Sequence, residues 1–422
     1  MPKIFSRLVT QTSIAMSLAL FLACGSAAQA QSAPSSQDDA TKQLLERVRE
    51  LEAKVKQLEE KEAATASAPA ATVAPAPVTA PELAPVVEQP QVNEVAPRLK
   101  LLLFGDTGYQ IGHFYGPTST FEFGEFDMFA TARLTDRVSA LAEILFTSSH
   151  DNSVGIDVER LTLKYHQNDY FNATIGRIHT AIGYYNTAFN RVDYFQTATG
   201  RPTMFEFDDQ GGFLPMQDLG LVINGQLPSG KLGLNYVFEV TNGRNYGATV
   251  EPTQNNSDQN NSKAVNFGLS AKPEKVPGLV IGFSYRHDYL SDVLNLHVSE
   301  TIPVVYAVFT NSKFEWLNEA MEVTHKVPGG AAFHTTGFYS QFSRKFGHYR
   351  PYFRYDYVNS GDNDPIYDNP IEFPPVERVN GPTVGLRWDF TRYTAIKLQY
   401  VREAERGDVS TNGGNAQFDF TF

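Results

Sequence analysis

Cysteine is all but absent. The 422 residues include a single one, Cys24, and it sits inside what reads as an export signal. Lys3 and Arg7 form the basic region, Ile14 to Leu22 the short apolar region, and Ala28-Gln29-Ala30 the small-x-small cleavage site. Cleavage after residue 30 leaves a mature chain without a thiol, one that does without disulfides although it is exported. Phe21 and Leu22 are poor matches to a lipobox ahead of Cys24, so lipidation is the lesser reading. Long apolar runs are missing too. Nowhere do 18 apolar residues follow one another, which excludes a helical membrane protein. A formal charge of −12 argues against nucleic acid as a partner. The signatures HExxH, Walker A, GxGxxG, GxSxG and CxxC are all absent, and the nine histidines are scattered. No catalytic residue, metal site or cofactor is expected. His179 and His287, near strand ends, read as packing residues rather than ligands.

Aromatic residues are abundant, with 30 Phe and 20 Tyr beside only 19% charged residues, yet the mean hydropathy is negative. The apolar residues are therefore spread along the chain rather than pooled. Three segments follow the signal.

In the first, residues 31–62, Leu44, Val48, Leu51, Val55 and Leu58 step by four and three, a heptad seam with Val at a and Leu at d. Arg47 and Lys54 fall at g, and Glu52 and Glu59 at e, placed to pair between helices. The seam is about 30 Å long at 1.5 Å per residue, too short to be stable alone. Val at a with Leu at d is compatible with a dimer. The run Arg47 to Glu52, "RVRELE", resembles a short trimerisation signature of coiled coils, and a trimer is the expectation. The second segment, residues 63–97, is rich in Ala, Pro and Val. Its prolines favour an extended polyproline-like spacer able to span about 100 Å.

The third segment, residues 98–422, reads as a procession of strands. "KLGLNYVFEV" sets Leu232, Leu234, Tyr236, Phe238 and Val240 against Gly233, Asn235, Val237 and Glu239. "GLVIGFSYRHD" sets Leu279, Ile281, Phe283 and Tyr285 against Gly282, Ser284 and Arg286, and "GPTVGLRWDF" sets Val384, Leu386, Trp388 and Phe390 against Thr383, Gly385, Arg387 and Asp389. The chain ends in the same alternation, with Phe418, Phe420 and Phe422. A soluble sandwich also alternates, but these strands run longer than is usual in one. About sixteen can be counted. Every second connection is tight, such as "TDR", "QNDY", "PSG" and "NS", while most intervening ones are long and polar. Short turns on one rim, long loops on the other and both ends on the short-turn side predict an all-β fold, a 16-stranded antiparallel transmembrane β-barrel. Around "EWLNEAME" the alternation breaks, which suggests a bulge.

Architecture, strand count and the C-terminal Phe422 resemble the trimeric Gram-negative outer-membrane porins, particularly those with an N-terminal coiled coil; "GRIHTAIGYYN" resembles a strand end of phosphate-selective and related porins. The lysine concentration of a phosphate-selective constriction is missing. The resemblance implies a homotrimer in outer-membrane lipid and a water-filled channel for small hydrophilic solutes or ions. It also implies a periplasmic coil reaching toward peptidoglycan, a Phe422 read by the barrel-assembly machinery, and a third loop folded inward to narrow the pore. That loop is the aromatic-rich stretch Tyr184 to Pro215.

Pointing each apolar face outward turns Arg133, Arg160, Lys164, Arg286, Arg354 and Arg387 toward the lumen, with Glu125, Asp127, Glu143, Asp356 and Asp389. The loop adds Arg191, Asp193, Arg201, Glu206, Asp208 and Asp209. Basic wall residues facing acidic loop residues produce a transverse field that orients polar solutes. Two rival readings stand beside the channel: a barrel hydrolase, and an anchor or tether linking membrane to cell wall through the coil.

Overall fold

The computed structural model describes residues 98–112, 118–148, 153–189, 193–207, 212–244, 257–258, 260–291, 297–367, 378–404 and 410–422. The signal, the coil residues Leu44, Val48, Leu51, Val55 and Leu58, the spacer, and loop residues Arg191, Asp208 and Asp209 lie outside the described residues.

Sixteen strands make up the described chain: β1 (Arg98–Gly112), β2 (Thr120–Arg133), β3 (Val138–Ser148), β4 (Val154–Asn168), β5 (Phe171–His179), β6 (Gln217–Gln226), β7 (Leu234–Thr241), β8 (Ala264–Ala271), β9 (Leu279–Ser291), β10 (His297–Thr310), β11 (Phe314–Lys326), β12 (Ala332–Arg344), β13 (Tyr349–Asn359), β14 (Val379–Asp389), β15 (Thr394–Ala404) and β16 (Ser410–Thr421). Each pairs antiparallel with its neighbours in sequence, and β1 pairs with β16, so the sheet closes into a barrel. The closing seam runs from Phe104 opposite Thr421 to Gly112 opposite Gly413. The last residue is tied in as well: the Leu103 and Phe422 backbones exchange hydrogen bonds of 3.1 Å in both directions.

The alternation expected from the sequence holds where it can be checked. On β9, Ile281, Phe283 and Tyr285 are 48%, 40% and 46% exposed, whereas Ser284 and Arg286 are 3% and 0%. On β16, Phe418, Phe420 and Phe422 point outward while Gln417 and Asp419 are buried. Apolar residues outside and polar residues inside invert the arrangement of a water-soluble protein. That inversion is stable only where the outer solvent is itself apolar. Near the short-turn rim the outer face carries stacked rings, such as Tyr349 on Trp388, with Phe390 edge-on to the same indole.

The expected bulge needs correction. "EWLNEAME" holds no bulge. β11 pairs with β12 without a shift from Phe314 opposite Arg344 to Lys326 opposite Ala332, and the broken pattern arises because Leu317 and Met321 point inward into a buried apolar cluster. The bulges lie elsewhere, one of them between β3 and β4 at Glu143 and Ile144, where two residues, Glu159 and Arg160, fit beside one partner. β5 stops at His179. β16 begins at Ser410, well ahead of the terminal Phe418–Phe422 alternation.

Adjacent residues on β7 should respond oppositely to the same charge. Phe238→Arg on the outer face should cost about 2–4 kcal/mol of stability in bilayers, whereas Val237→Arg on the inner face should cost no more than about 1 kcal/mol. Denaturant titration of the vesicle-inserted protein reads both, and equal losses would reverse the register of β7.

Candidate functional site

The connection between β5 and β6, residues 180–216, is the candidate site, and its chemistry begins with unpaired backbone. Once the strand ends at His179, each following N–H needs an acceptor, and buried donors left bare are costly. Wall side chains supply them. Glu239 on β7 accepts the Ala181 N–H on both oxygens at 3.0 Å while holding Asn266 Nδ2 at 2.7 Å. Ser284 Oγ on β9 accepts from Gly183 N–H at 2.9 Å. Glu319 on β11 accepts from the N–H groups of Tyr184 at 2.6 Å and Tyr185 at 2.9 Å, and from the Tyr339 hydroxyl at 2.8 Å. Gly183 has a left-handed backbone, φ 70°, and a Cβ there would meet the Glu319 carboxylate. A glycine is required for that approach. A single helical turn follows, Tyr185–Ala188.

Farther along, the connection spans the opposite wall. Tyr194 donates its hydroxyl to the Arg392 carbonyl at 2.6 Å, in the tight turn between β14 and β15. Arg387 Nη1 donates to the carbonyls of Tyr194 and Gln196, both at 2.7 Å, while its Nε pairs with Asp389 at 2.8 Å. Gln399 on β15 bonds Thr199 twice, at 3.2 and 3.1 Å. Arg354 on β13 donates to the Gly200 carbonyl at 3.0 Å and pairs with Asp356, which accepts the Thr203 N–H. Within the connection, Arg201 bonds the Phe205 carbonyl and the Asn186 side-chain oxygen, and its guanidinium lies 4.5 Å from the Phe207 ring centre. Tyr185, Phe205 and Tyr339 pack ring against ring beneath it.

The end of the connection is knotted into a buried ionic network at the long-loop rim. Arg244, in the segment after β7, donates to the Phe213 carbonyl at 2.6 Å, pairs with Glu300 on β10, and lies over Tyr367. His325 on β11 stands between Glu300 at 2.9 Å and Asp364 at 2.8 Å. Arg286 pairs with Asp218 at 2.6 Å.

The residues expected at the site thus divide. Arg286, Arg354 and Arg387 lie on the inner wall, each in an ion pair, and the last two hold the connection by its carbonyls. Arg160 pairs with Glu143. Arg201 is buried in the connection itself. Arg133 keeps the inward register but stands at the short-turn rim, where it pairs with exposed Asp136 at 3.1 Å. Lys164 lines a cavity of about 790 Å³ beneath residues 181–188, together with His166, Asn172, Lys272, Tyr184 and Tyr306. Glu206 is half-buried. Burial, with a further push from Glu403, raises its carboxyl to about 8. Sequence reasoning missed Glu239, Glu319, Arg244, His325 and Asp364 as organisers. Alternation points Glu239 inward, but nothing in one sequence says which N–H it meets.

No protein-family model matches the chain, and no curated protein matches it by sequence. Its fold is similar to solved outer-membrane proteins. An anion-selective porin from Comamonas acidovorans superposes with a TM-score of 0.55 at 12% identity, over 77% of this chain and 100% of that one. The outer membrane channel DcaP of Acinetobacter baumannii gives 0.54 at 10%, over 78% and 98%. The trimer form of OmpT, an outer membrane protein of Vibrio cholerae, gives 0.51 at 10%, over 78% and 100%. Such likeness establishes the 16-stranded barrel fold.

Glu319→Ala leaves two backbone N–H groups and a tyrosine hydroxyl without their acceptor, a local loss of about 1–3 kcal/mol for each donor left bare. Trypsin should then cut within residues 180–216 of the folded protein at least tenfold faster than in the parent. Unchanged cleavage would show that Glu319 does not hold the connection.

Proposed function

We propose that this chain is an outer-membrane porin, a water-filled channel for small hydrophilic solutes or ions, narrowed by the connection 180–216 folded into the barrel. The observation that carries the reading is the set of hydrogen bonds from that connection to side chains of β7, β9, β11, β13, β14 and β15. A sixteen-stranded barrel is wide enough to leave an aqueous passage, and a segment bonded across its wall narrows what remains. Wall arginines hold the loop, and the reading assigns Glu206, Asp208 and Asp209 to the constriction and Arg191 to the pore lining. Planar-bilayer recording of the purified protein tests the reading. Stepwise conductance supports it, and its absence would leave the barrel as an anchor.

Deleting residues 200–210 should raise single-channel conductance. Equal conductance would put the connection outside the passage. The constriction should also respond to pH. Because the Glu206 carboxyl titrates near 8, it is mostly protonated at pH 7 and charged at pH 9. Cation preference, read as the reversal potential in a KCl gradient, should therefore rise between pH 7 and pH 9. Glu206→Gln should abolish most of that rise and change little at pH 7. A full rise in the variant would assign the titration to another group.

The N-terminal region completes the proposal: residues 1–30 export the chain, the coil 31–62 holds three copies together in the periplasm and reaches toward peptidoglycan, and the spacer 63–97 joins it to the barrel. Phe422 is the signal for the barrel-assembly machinery. Leu51→Asp with Leu58→Asp should loosen the N-terminal assembly and leave the barrels inserted. A mature protein that is monomeric by native mass measurement would end the trimer reading.

A further inference from the structure

Among the described residues, Glu322 on β11 is the one carboxylate at an outward strand position. Elsewhere the outer wall is apolar over its middle, as with Ile156, Val158 and Leu161 on β4 or Ile396, Leu398 and Tyr400 on β15. Glu322 does not stand at a rim. Trp316, half exposed near the short-turn rim, lies six residues earlier on the same strand. That is about 20 Å of strand at 3.4 Å per residue, or about 15 Å of height at the usual tilt, within an apolar band about 25 Å tall.

Two polar groups lie along β11 and β12, and they differ. The lower one closes on itself: Trp316 Nε1 donates to Ser340 Oγ at 3.3 Å, Ser340 Oγ to Asn318 Oδ1 at 2.7 Å, and Asn318 Nδ2 to the Ala307 carbonyl at 3.2 Å. The upper one does not. Glu322 Oε1 lies 3.2 Å from His334 Nδ1 on β12, and Thr324 Oγ1 reaches both. Glu322 Oε2 and His334 Nε2 have no partner among the described residues, and the two side chains are 49% and 54% exposed. Acyl chains offer neither donor nor acceptor, so a half-used ion pair facing them is costly.

We infer that this face of β10 to β12 is an interface between copies of this chain, with Glu322 of one copy bonded to His334 of the next. Copies inserted in the same sense hold these groups at equal depth, so a second copy supplies both missing partners. The carboxylate on β11 and the imidazole on β12 are one strand apart. That offset suits a ring in which each copy's β11 faces the next copy's β12. Ala320 on β11, with Ala307 and Pro303 on β10, keeps the neighbouring surface low, and small residues let membrane-embedded walls approach closely. The inference rests on the homotrimer reading and goes beyond it by naming the wall that faces the axis.

The test uses the full mature protein in lipid vesicles, at a low ratio of protein to lipid, oxidised with copper phenanthroline. Removal of residues 1–30 leaves no native thiol, so each introduced cysteine reports alone. Ala320→Cys should give disulfide-linked pairs of chains on a non-reducing gel. Ile156→Cys on β4, Phe238→Cys on β7 and Leu398→Cys on β15 should stay unlinked. Adding Glu322→Gln or His334→Gln to Ala320→Cys should lower the linked fraction about threefold, and the exchange Glu322→His with His334→Glu should restore it. Linking at a control position instead, or equally at all four, would overturn the interface. Linking at 320 that neither substitution changes would overturn the Glu322–His334 contact. Native mass of the same samples separates the two readings: three copies without linking at 320 sinks this wall alone, and a single copy sinks the trimer with it.

Discussion

Every strand must have two hydrogen-bonded neighbours, and the rest of the molecule follows from that requirement. A sheet edge carries a row of unpaired N–H and C=O groups, and an apolar solvent offers them nothing. The seam between β1 and β16 removes the last edge, and the Leu103 and Phe422 backbones continue the pairing one residue past β16. Once closed, the sheet has an inside, and the alternation of side chains divides solvents: rings and aliphatic chains outward, charges and amides inward.

Closure also creates a second problem, which the loop answers. The apolar stripe Leu317, Met321 and Tyr339 lines part of the inner wall, where water would otherwise meet it, and Tyr185, Met204 and Phe205 of the 180–216 connection cover it. Burying those rings drags backbone out of water with them, so acceptors are needed at fixed heights on the wall. Glu239 and Glu319 serve there. Apolar burial thus supplies the driving force for docking, and the carboxylates determine where the loop docks.

Legibility followed the same division. Strand count, closure rim and outward faces were readable because alternation of period two is imposed by the pleat and repeats at each strand. The segment 314–326 was misread because its inward face is apolar at Leu317 and Met321. Period-two logic assumed that apolar means outward, and a loop packed against the wall breaks that assumption. The inward arginines were found by alternation, but their partners were not. Arg387 bonds carbonyls nearly two hundred residues earlier in the chain, and the identity of such a partner depends on loop path rather than on local pattern. His325 was invisible for a related reason: it lies between carboxylates from β10 and from the segment after β13, which only closure brings together.

The buried network at the long-loop rim is better understood as a locator than as a source of stability. Ion pairs removed from water repay their desolvation only when geometry and further hydrogen bonds are good, and apolar replacements of equal volume are often as stable. What an apolar cluster lacks is direction. Arg244 bonds the Phe213 carbonyl, Glu300 and the Tyr367 hydroxyl together, and His325 offers both ring nitrogens to opposed carboxylates. Shifting any one of the three segments leaves a buried charge bare, which costs far more than an imperfect apolar contact. The network therefore penalises wrong placements of the connection 180–216 more than it rewards the right one. In the channel proposed above, where the position of this loop would set the width of the passage, such a penalty is the relevant property.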